Sequence, residues 1–252
     1  MLKTRIIPTL LYRDFTLVKG LQFDSQRVVG SPVQAVQVYN LRNVDELVFF
    51  DVRATLDDRR PDFKLIDEIA DHCFMPLCVG GGIRSVDDIR GLLAVGADKV
   101  VLNTVAVEEP DVVRLGSERF GVQCIVVAID TKRDGHGEPT VWTASGTHDT
   151  GLDPVVWAKE LEVLGAGEII IQSVDHDGVM AGYDTETIRR VVEAVTIPVI
   201  ASGGAGEFSD MYDVITAAGA SAVAAASLFH FTEKTPMEAK QYLASRGILT
   251  RI

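Results

Sequence analysis

Eight short runs of β-branched and aliphatic residues, each closing on glycine, aspartate, asparagine or serine, recur along this chain with helix-like segments between them. They occupy residues 5–11, 46–52, 76–83, 99–104, 124–130, 168–175, 198–205 and 222–229. The runs are nearly continuous in Val, Ile and Leu, the pattern of parallel strands buried on both faces. Helix signals fall between them. Segment 61–71 opens after a charged loop, segment 85–95 begins with a serine cap and an acidic first turn, and segment 184–195 repeats that pattern. Strand and helix alternating eight times within 252 residues predict a single (β/α)8 TIM barrel, with residues 1–252 as one domain. An open doubly wound sheet is the competing arrangement, and the lack of G-x-G-x-x-G after the first run weighs against it.

The second half echoes the first at a shift of about 122 residues. Asp45-Glu46-Leu47-Val48 matches Gly167-Glu168-Ile169-Ile170, Val79-Gly80-Gly81-Gly82-Ile83 matches Ala201-Ser202-Gly203-Gly204-Ala205, and Gly96-Ala97-Asp98-Lys99-Val100 matches Gly219-Ala220-Ser221-Ala222-Val223. Two half-barrels sharing one core are expected. The segment 214–229, uncharged but broken by Gly219, reads as a helix end, a turn and a strand.

Composition narrows the function classes. With 24 Lys and Arg against 36 Asp and Glu, the formal charge is -12, so the global field repels nucleic acid and anionic membranes. A phosphate-bearing ligand must be held by a local site. No signal-like segment or apolar run of membrane-spanning length occurs, and the odd set Cys73, Cys78 and Cys124 suits free thiols in a reducing compartment. A cytoplasmic protein is expected.

The glycine-rich ends of the third and seventh runs let backbone N–H groups approach an anion closely. Each half then supplies a hydroxyl at the end of the next run, Thr104 beside Asn103 in the first and Ser227 in the second. Two equivalent phosphate sites are expected across the mouth; the alternative is that these glycines only permit tight turns. Asp130, Asp51 and Asp175 close the fifth, second and sixth runs, where a carboxylate can project into the mouth as general acid or base or cap a neighbouring loop. Nothing in the local sequence pairs with Asp130 except Lys132. Three consecutive side chains in Asp175-His176-Asp177 cannot converge on one ion, and no H-x-x-x-H or C-x-x-C spacing occurs, so no metal is expected. At the opposite end, Arg5, Glu46, Lys99 and Glu168 open the first, second, fourth and sixth runs with alternating charge. A ring around the barrel axis is expected.

The chain resembles the cyclase subunit of imidazole glycerol phosphate synthase, a two-fold repeated barrel of histidine biosynthesis. Essentially the whole chain is covered, through the motifs already quoted and through Val127-Ala128-Ile129-Asp130, Asp175-His176-Asp177-Gly178, Gly182-Tyr183-Asp184 and Ile200-Ala201-Ser202-Gly203-Gly204-Ala205-Gly206. The resemblance implies a glutaminase docked at the N-terminal face of the barrel, whose ammonia travels through the interior to a bisphosphorylated substrate at the other face. It assigns Gly82, Asn103 and Thr104 to one phosphate and Asp177, Gly178, Gly204 and Ser227 to the other. Lys19 and Asp51 join the substrate site. Arg5, Glu46, Lys99 and Glu168 become the ammonia gate, and Asp98 a contact with the glutaminase. No cofactor is implied.

One departure bears on the chemistry. The family places catalytic aspartates at the ends of strands 1 and 5; here Asp130 is retained and Leu11 stands in the other position. Loss of a positioned acid–base group costs about 10²–10⁴-fold in rate. Asp14 follows three residues later, in an expected loop, and the lid segment from Lys19 through Gly30 is altered in sequence. Leu11, together with Met75-Pro76-Leu77-Cys78 and the 220–225 run, resembles a divergent branch found beside surface-polysaccharide genes. There the barrel handles ammonia for a separate amidotransferase that converts an acetamido group on a sugar into an amidine. The sequence therefore favours an ammonia-handling subunit of a sugar-amidating system. A true histidine-pathway cyclase that tolerates Leu11, and a phosphate-binding barrel isomerase acting alone, are the alternatives.

Overall fold

Which side chains enter the barrel is decided by the two-residue period of a strand, a signal that hydropathy hides when both faces are apolar. The computed structural model describes residues 3–252, with residues 25 and 26 described by their backbone alone. Its strands are β1 (Arg5–Arg13), β2 (Thr16–Leu21), β3 (Asp24–Gly30), β4 (Leu47–Asp51), β5 (Leu77–Gly80), β6 (Lys99–Leu102), β7 (Ile125–Arg133), β8 (Pro139–Thr143), β9 (His148–Asp149), β10 (Glu168–Ser173), β11 (Val199–Ser202) and β12 (Ala222–Ala225). The α-helices are α1 (Pro32–Leu41), α2 (Phe63–Ala70), α3 (Val86–Ala94), α4 (Thr104–Glu108), α5 (Asp111–Phe120), α6 (Pro154–Leu164), α7 (Thr185–Val192), α8 (Phe208–Ala218), α9 (Ser227–Phe231) and α10 (Pro236–Ser245). Strands β1, β4, β5, β6, β7, β10, β11 and β12 pair in parallel in that order. β12 pairs back onto β1, which closes the (β/α)8 barrel.

The expected runs mark the barrel strands but overrun several ends. Thr104 and Ser227, placed at strand ends by sequence, begin the short helices α4 and α9. Their Val, Leu and Phe neighbours read as strand although the backbone has already turned. Asp130 does not end its strand either: β7 continues to Arg133 and turns into the antiparallel β8. β1 likewise continues into the β2–β3 hairpin, so each half carries an antiparallel excursion after its first strand.

Local signals explain the helix boundaries. Ser85 accepts the Asp88 N–H ahead of α3, and Asp184 accepts the Thr187 N–H ahead of α7. Thr235 and Glu238 form a reciprocal box at the start of α10. Odd and even strand positions then separate into two cores. Ile6, Leu47, Val79, Val100 and Val127 pack outward against the helices. Ile7, Val48, Cys78, Val101, Val126, Ala128, Ile170, Ile200, Ala222 and Ala224 fill the interior. Burial pushes the Cys78 thiol well above its ordinary range, so it stays protonated. Among the described residues all three cysteines are free, and no helix is long and apolar enough to cross a membrane.

A buried ion pair ties the last helix to the base of the barrel. Lys240 on α10 reaches the Asp45 carboxylate at 2.8 Å, with both side chains almost fully buried. Asp45 also accepts the Ile6 N–H at 2.9 Å, and Lys240 donates to the Asn43 carbonyl. Asp45→Ala should lower stability in urea unfolding by about 3–5 kcal/mol, because Lys240 is left buried and unpaired. The double change Asp45→Ala and Lys240→Met should recover most of that loss.

Candidate functional site

Counting by twos along the strands leads from foot to mouth. On β1, Arg5, Ile7, Thr9 and Leu11 share the inward face; β4 continues Val48 and Phe50 above Glu46, β6 sets Lys99 beneath Val101 and Asn103, β7 raises Asp130 above Ala128, and β10 raises Gln172 above Ile170 and Glu168. The same parity therefore places charges at the foot and chemistry-bearing side chains at the mouth.

At the foot the four expected residues close a ring. Arg5 meets Glu46 at 2.6 Å and Glu168 at 3.0 Å; Lys99 meets Glu46 at 3.1 Å and Glu168 at 2.9 Å. Burial pulls Arg5 and Lys99 toward deprotonation, but the two carboxylates more than reverse it, leaving both cations raised. Both cations therefore stay charged through the neutral range. Asp98 lies beside it, exposed, with one carboxylate oxygen accepting the Leu77 N–H at 2.8 Å.

The mouth is a cavity of about 680 Å³ lined by residues from all eight barrel strands or their following loops. Leu11, Lys19, Asp51, Gly82, Asn103, Thr104, Asp130, Asp177, Gly178, Gly204 and Ser227 all line it. Asp130 and Leu11 stand on strands four places apart in a ring of eight, so they face each other across the axis. Asp130 is pushed up to about 7 by burial and by the nearby Asp177, with a hydrogen bond from Asn103 working the other way. Its sequence neighbour Lys132 plays no part in this, lying over the Trp142 ring at 4.6 Å. Leu11 pairs in register with Phe50, giving the opposite wall an apolar surface. Asp14 does not take over from Leu11: it sits with φ 47° in the turn before β2, exposed, 3.6 Å from Arg13.

The β2–β3 hairpin folds over this cavity. Lys19 is buried and donates to Asp177 at 2.5 Å, the Gln22 N–H reaches the Asp177 carbonyl at 2.8 Å, and a Cβ on Gly178 would stand 2.2 Å from the Gly20 carbonyl oxygen. The hairpin thus rests on the loop after β10. The three polar residues of that loop diverge as expected: Asp175 accepts the Arg133 N–H, His176 Nδ1 meets the Gly182 carbonyl, and Asp177 turns to Lys19 and Gln172. Among the described residues no cluster could hold a metal ion. Asp51 is drawn into its own loop, accepting the Arg53 and Ala54 N–H groups and pairing with Arg59 at 3.0 Å.

The glycine pairs are needed in both halves for the same reason. Gly82 has φ +73° and Gly204 φ +116°, and a Cβ would come within 2.7 Å of the Arg59 carbonyl oxygen in one case and 2.0 Å of the Gly182 carbonyl oxygen in the other. The hydroxyls that follow are not equivalent. Thr104 Oγ1 already accepts the Ala144 N–H at 3.0 Å, from the loop after β8, whereas the Ser227 hydroxyl is buried without a partner. The two hydroxyls differ because the β8–β9 excursion reaches across to the first half, where Ser145 also donates to the Val52 carbonyl. This loop went unread in the sequence. Ala144 and Ser145 take positive φ without being glycine, so only Gly146 signalled a turn. Gln172 was missed too, although its place two residues beyond Ile170 marks it as inward.

A family model described as "Histidine biosynthesis protein" matches residues 5–235. The imidazole glycerol phosphate synthase subunit HisF of Natranaerobius thermophilus is 46% identical over 252 residues, covering all of both chains. The corresponding subunit of Dehalococcoides mccartyi is 47% identical over 252 residues, covering all of this chain and 99% of its own. The chain belongs to the HisF family. No finding supports its placement in a divergent polysaccharide branch of HisF proteins, so family membership stands without that refinement. In this HisF-family barrel Asp130 faces Leu11 across the mouth, over a foot whose charges are paired.

Because the folded protein holds the Asp130 proton more tightly than the unfolded chain, its contribution to stability is present in acid and lost as pH rises from about 4 toward 7. Asp130→Asn has no such loss. Its unfolding free energy should gain on that of the wild type by a few kcal/mol, as an order of magnitude, between pH 4 and pH 8. Denaturant titrations across that range check it.

Proposed function

We propose that this barrel is the ammonia-accepting synthase subunit of a glutaminase-coupled pair and forms imidazole glycerol phosphate, as the names of its relatives suggest. The observation that carries the reading is the placement of the closed ion-pair ring and the mouth on one inward-facing set of side chains. A glutaminase on the foot releases ammonia beneath the ring. Lys99 is the member able to swing aside, because its ammonium sits on a flexible stem while Arg5 holds Glu168 through two nitrogens and Glu46 through one. Neutral ammonia then passes the apolar interior and meets the substrate in the mouth.

There the substrate's two phosphates take opposite sides, one with Gly82, Asn103 and Thr104, the other with Asp177, Gly178, Gly204 and Ser227. The unpartnered Ser227 hydroxyl supports the second site most directly. Lys19 stands ready on the closed hairpin, and Asp51 shapes the first-half loop through Arg59. Asp130 supplies the proton transfer; a carboxyl near 7 exchanges its proton readily at neutral pH. Leu11 leaves the opposing transfer to solvent or substrate, which costs about 10²–10⁴-fold relative to a second positioned carboxylate. That same residue favours a second reading, in which the chain passes ammonia to a separate amidotransferase acting on a surface-polysaccharide sugar.

The two readings separate in one assay. With the histidine-pathway bisphosphate and ammonium salt, the cyclase reading expects slow turnover that Leu11→Asp raises at least about tenfold. No turnover by either protein sinks it and leaves the sugar-amidation reading; turnover without any need for ammonia would point to an isomerase acting alone.

The gate has its own test. With the glutaminase added, Lys99→Ala should preserve glutamine hydrolysis while reducing the ammonia that reaches product. Asp98→Ala, on the docking face, should depress hydrolysis itself. The measured quantities are glutamate formed and product formed. Two variants that both behave as wild type would leave the ring a structural feature only.

A further inference from the structure

Hydrogen-bond accounting separates the two halves of the mouth further. Asn103 donates one amide hydrogen to the Ala128 carbonyl at 3.0 Å and another to Asp130, and Thr104 donates its single hydroxyl hydrogen to Asn103 Oδ1 at 3.2 Å. Both side chains already use their donors, whereas the Ser227 hydroxyl in the second half is unpartnered. A phosphate beside Gly82 needs a side-chain donor from elsewhere, and in a chain of formal charge -12 it needs a local cation. The loops after β4 and β5 carry four arginines. Arg53 is held by Asp57, Arg59 is shared by Asp51 and Asp57, and Arg60 grips Asp88, whose side chain is almost fully buried. Arg84 pairs with Asp58 at 2.6 Å, and the Asp58 side chain is 90% exposed. An ion pair so open to water contributes little, so Arg84 is the least committed of the four.

We propose that Arg84 is the phosphate-binding cation of the first half, held at rest by Asp58 and handed to the phosphate when the substrate enters. The inference rests on the bisphosphate reading and deepens it. Arg84 and Asp58 both line the mouth cavity, together with Gly82. Gly82 packs on the loop that carries Asp58, since a Cβ there would stand 2.7 Å from the Arg59 carbonyl oxygen and 2.8 Å from the Ala54 Cβ. Arg84, two residues further on, reaches back to that same loop. Its backbone is fixed, because its N–H donates to the buried Asp88 carboxylate at 3.0 Å, so a change of partner needs only the side chain to turn. A guanidinium matches a phosphate through two parallel hydrogen bonds, which supplies the donors that Asn103 and Thr104 lack. Arg13 is another lining arginine with an exposed partner, Asp14 at 3.6 Å, but it pairs in register with Thr16 at the root of the β2–β3 hairpin.

The test is calorimetric titration of the histidine-pathway bisphosphate into wild type, Arg84→Gln, Asp58→Asn, the double variant and Arg13→Gln. Arg84→Gln should keep the thermal midpoint of the free protein and raise Kd about tenfold or more, the scale of hydrogen bonds to a charged group. Asp58→Asn should act in the opposite direction and lower Kd about two- to fivefold, because the phosphate no longer competes with a carboxylate. In the Arg84→Gln background the Asp58 change should move Kd less than about twofold, since a distant exposed charge is screened by salt. A residue with a structural role alone would not give this pair of opposite signs. Normal binding by Arg84→Gln, or loss of binding by Arg13→Gln in its place, overturns the assignment and leaves the bisphosphate reading standing. Equal tightening by Asp58→Asn with and without Arg84 overturns the exchange of partners. Absence of binding by the wild-type protein overturns the bisphosphate reading and the assignment with it.

Discussion

Closure of the parallel ladder is the constraint on which everything else in this molecule depends. Once β12 pairs with β1, every inward side chain has a fixed height and angular position, and the two-residue period stacks Arg5, Ile7, Thr9 and Leu11 along one wall. The charged ring, the apolar interior and the cavity at the mouth are three heights of one stack. A one-residue slip in any strand would carry its charge outward and its apolar partner into the ring, so the polar ends also help to fix the register. The buried Asp45–Lys240 pair acts at the same end, holding α10 against the base from which β1 and β4 start.

The half-barrels begin from similar sequence and finish unlike. Both place glycines of positive φ hard against the preceding loop, and both begin a short helix at the mouth. They diverge through their antiparallel excursions. The β2–β3 hairpin leaves the first half and settles on the loop after β10, burying Lys19 against Asp177; the β8–β9 excursion leaves the second half and engages Thr104. Each half therefore modifies the site of the other. The result is one occupied hydroxyl and one unpartnered hydroxyl across a common cavity.

What could be read in advance follows from this division. The eight strands, the two-fold repeat, the ring and the glycines at the mouth are all local or periodic signals, and the sequence carries them openly. The helices α4 and α9 were hidden because the valines of α4 and the Leu and Phe of α9 look the same in a five-residue helix as in a strand end. The hairpins were hidden because their stability comes from docking on distant loops, as in the contact between Gly20 and Gly178. The capture of Thr104 by Ala144 depends on a left-handed turn made without glycine at its first two positions. No composition rule marks that turn.

Foot and mouth obey opposite electrostatics, and the contrast bears on what the chain can catalyse. At the foot each cation is placed between two carboxylates, so Arg5 and Lys99 keep their charge in spite of burial. At the mouth Asp130 is buried beside another carboxylate and across from Leu11 and Phe50, so burial acts against its charge and brings it to about 7. An acidic residue opposite Asp130 would add a second repelling charge, and one carboxyl of such a pair would hold its proton more tightly still. With Leu11 in that place, Asp130 keeps an apolar wall opposite it, and Asp177 is the neighbouring carboxylate that helps hold its proton on.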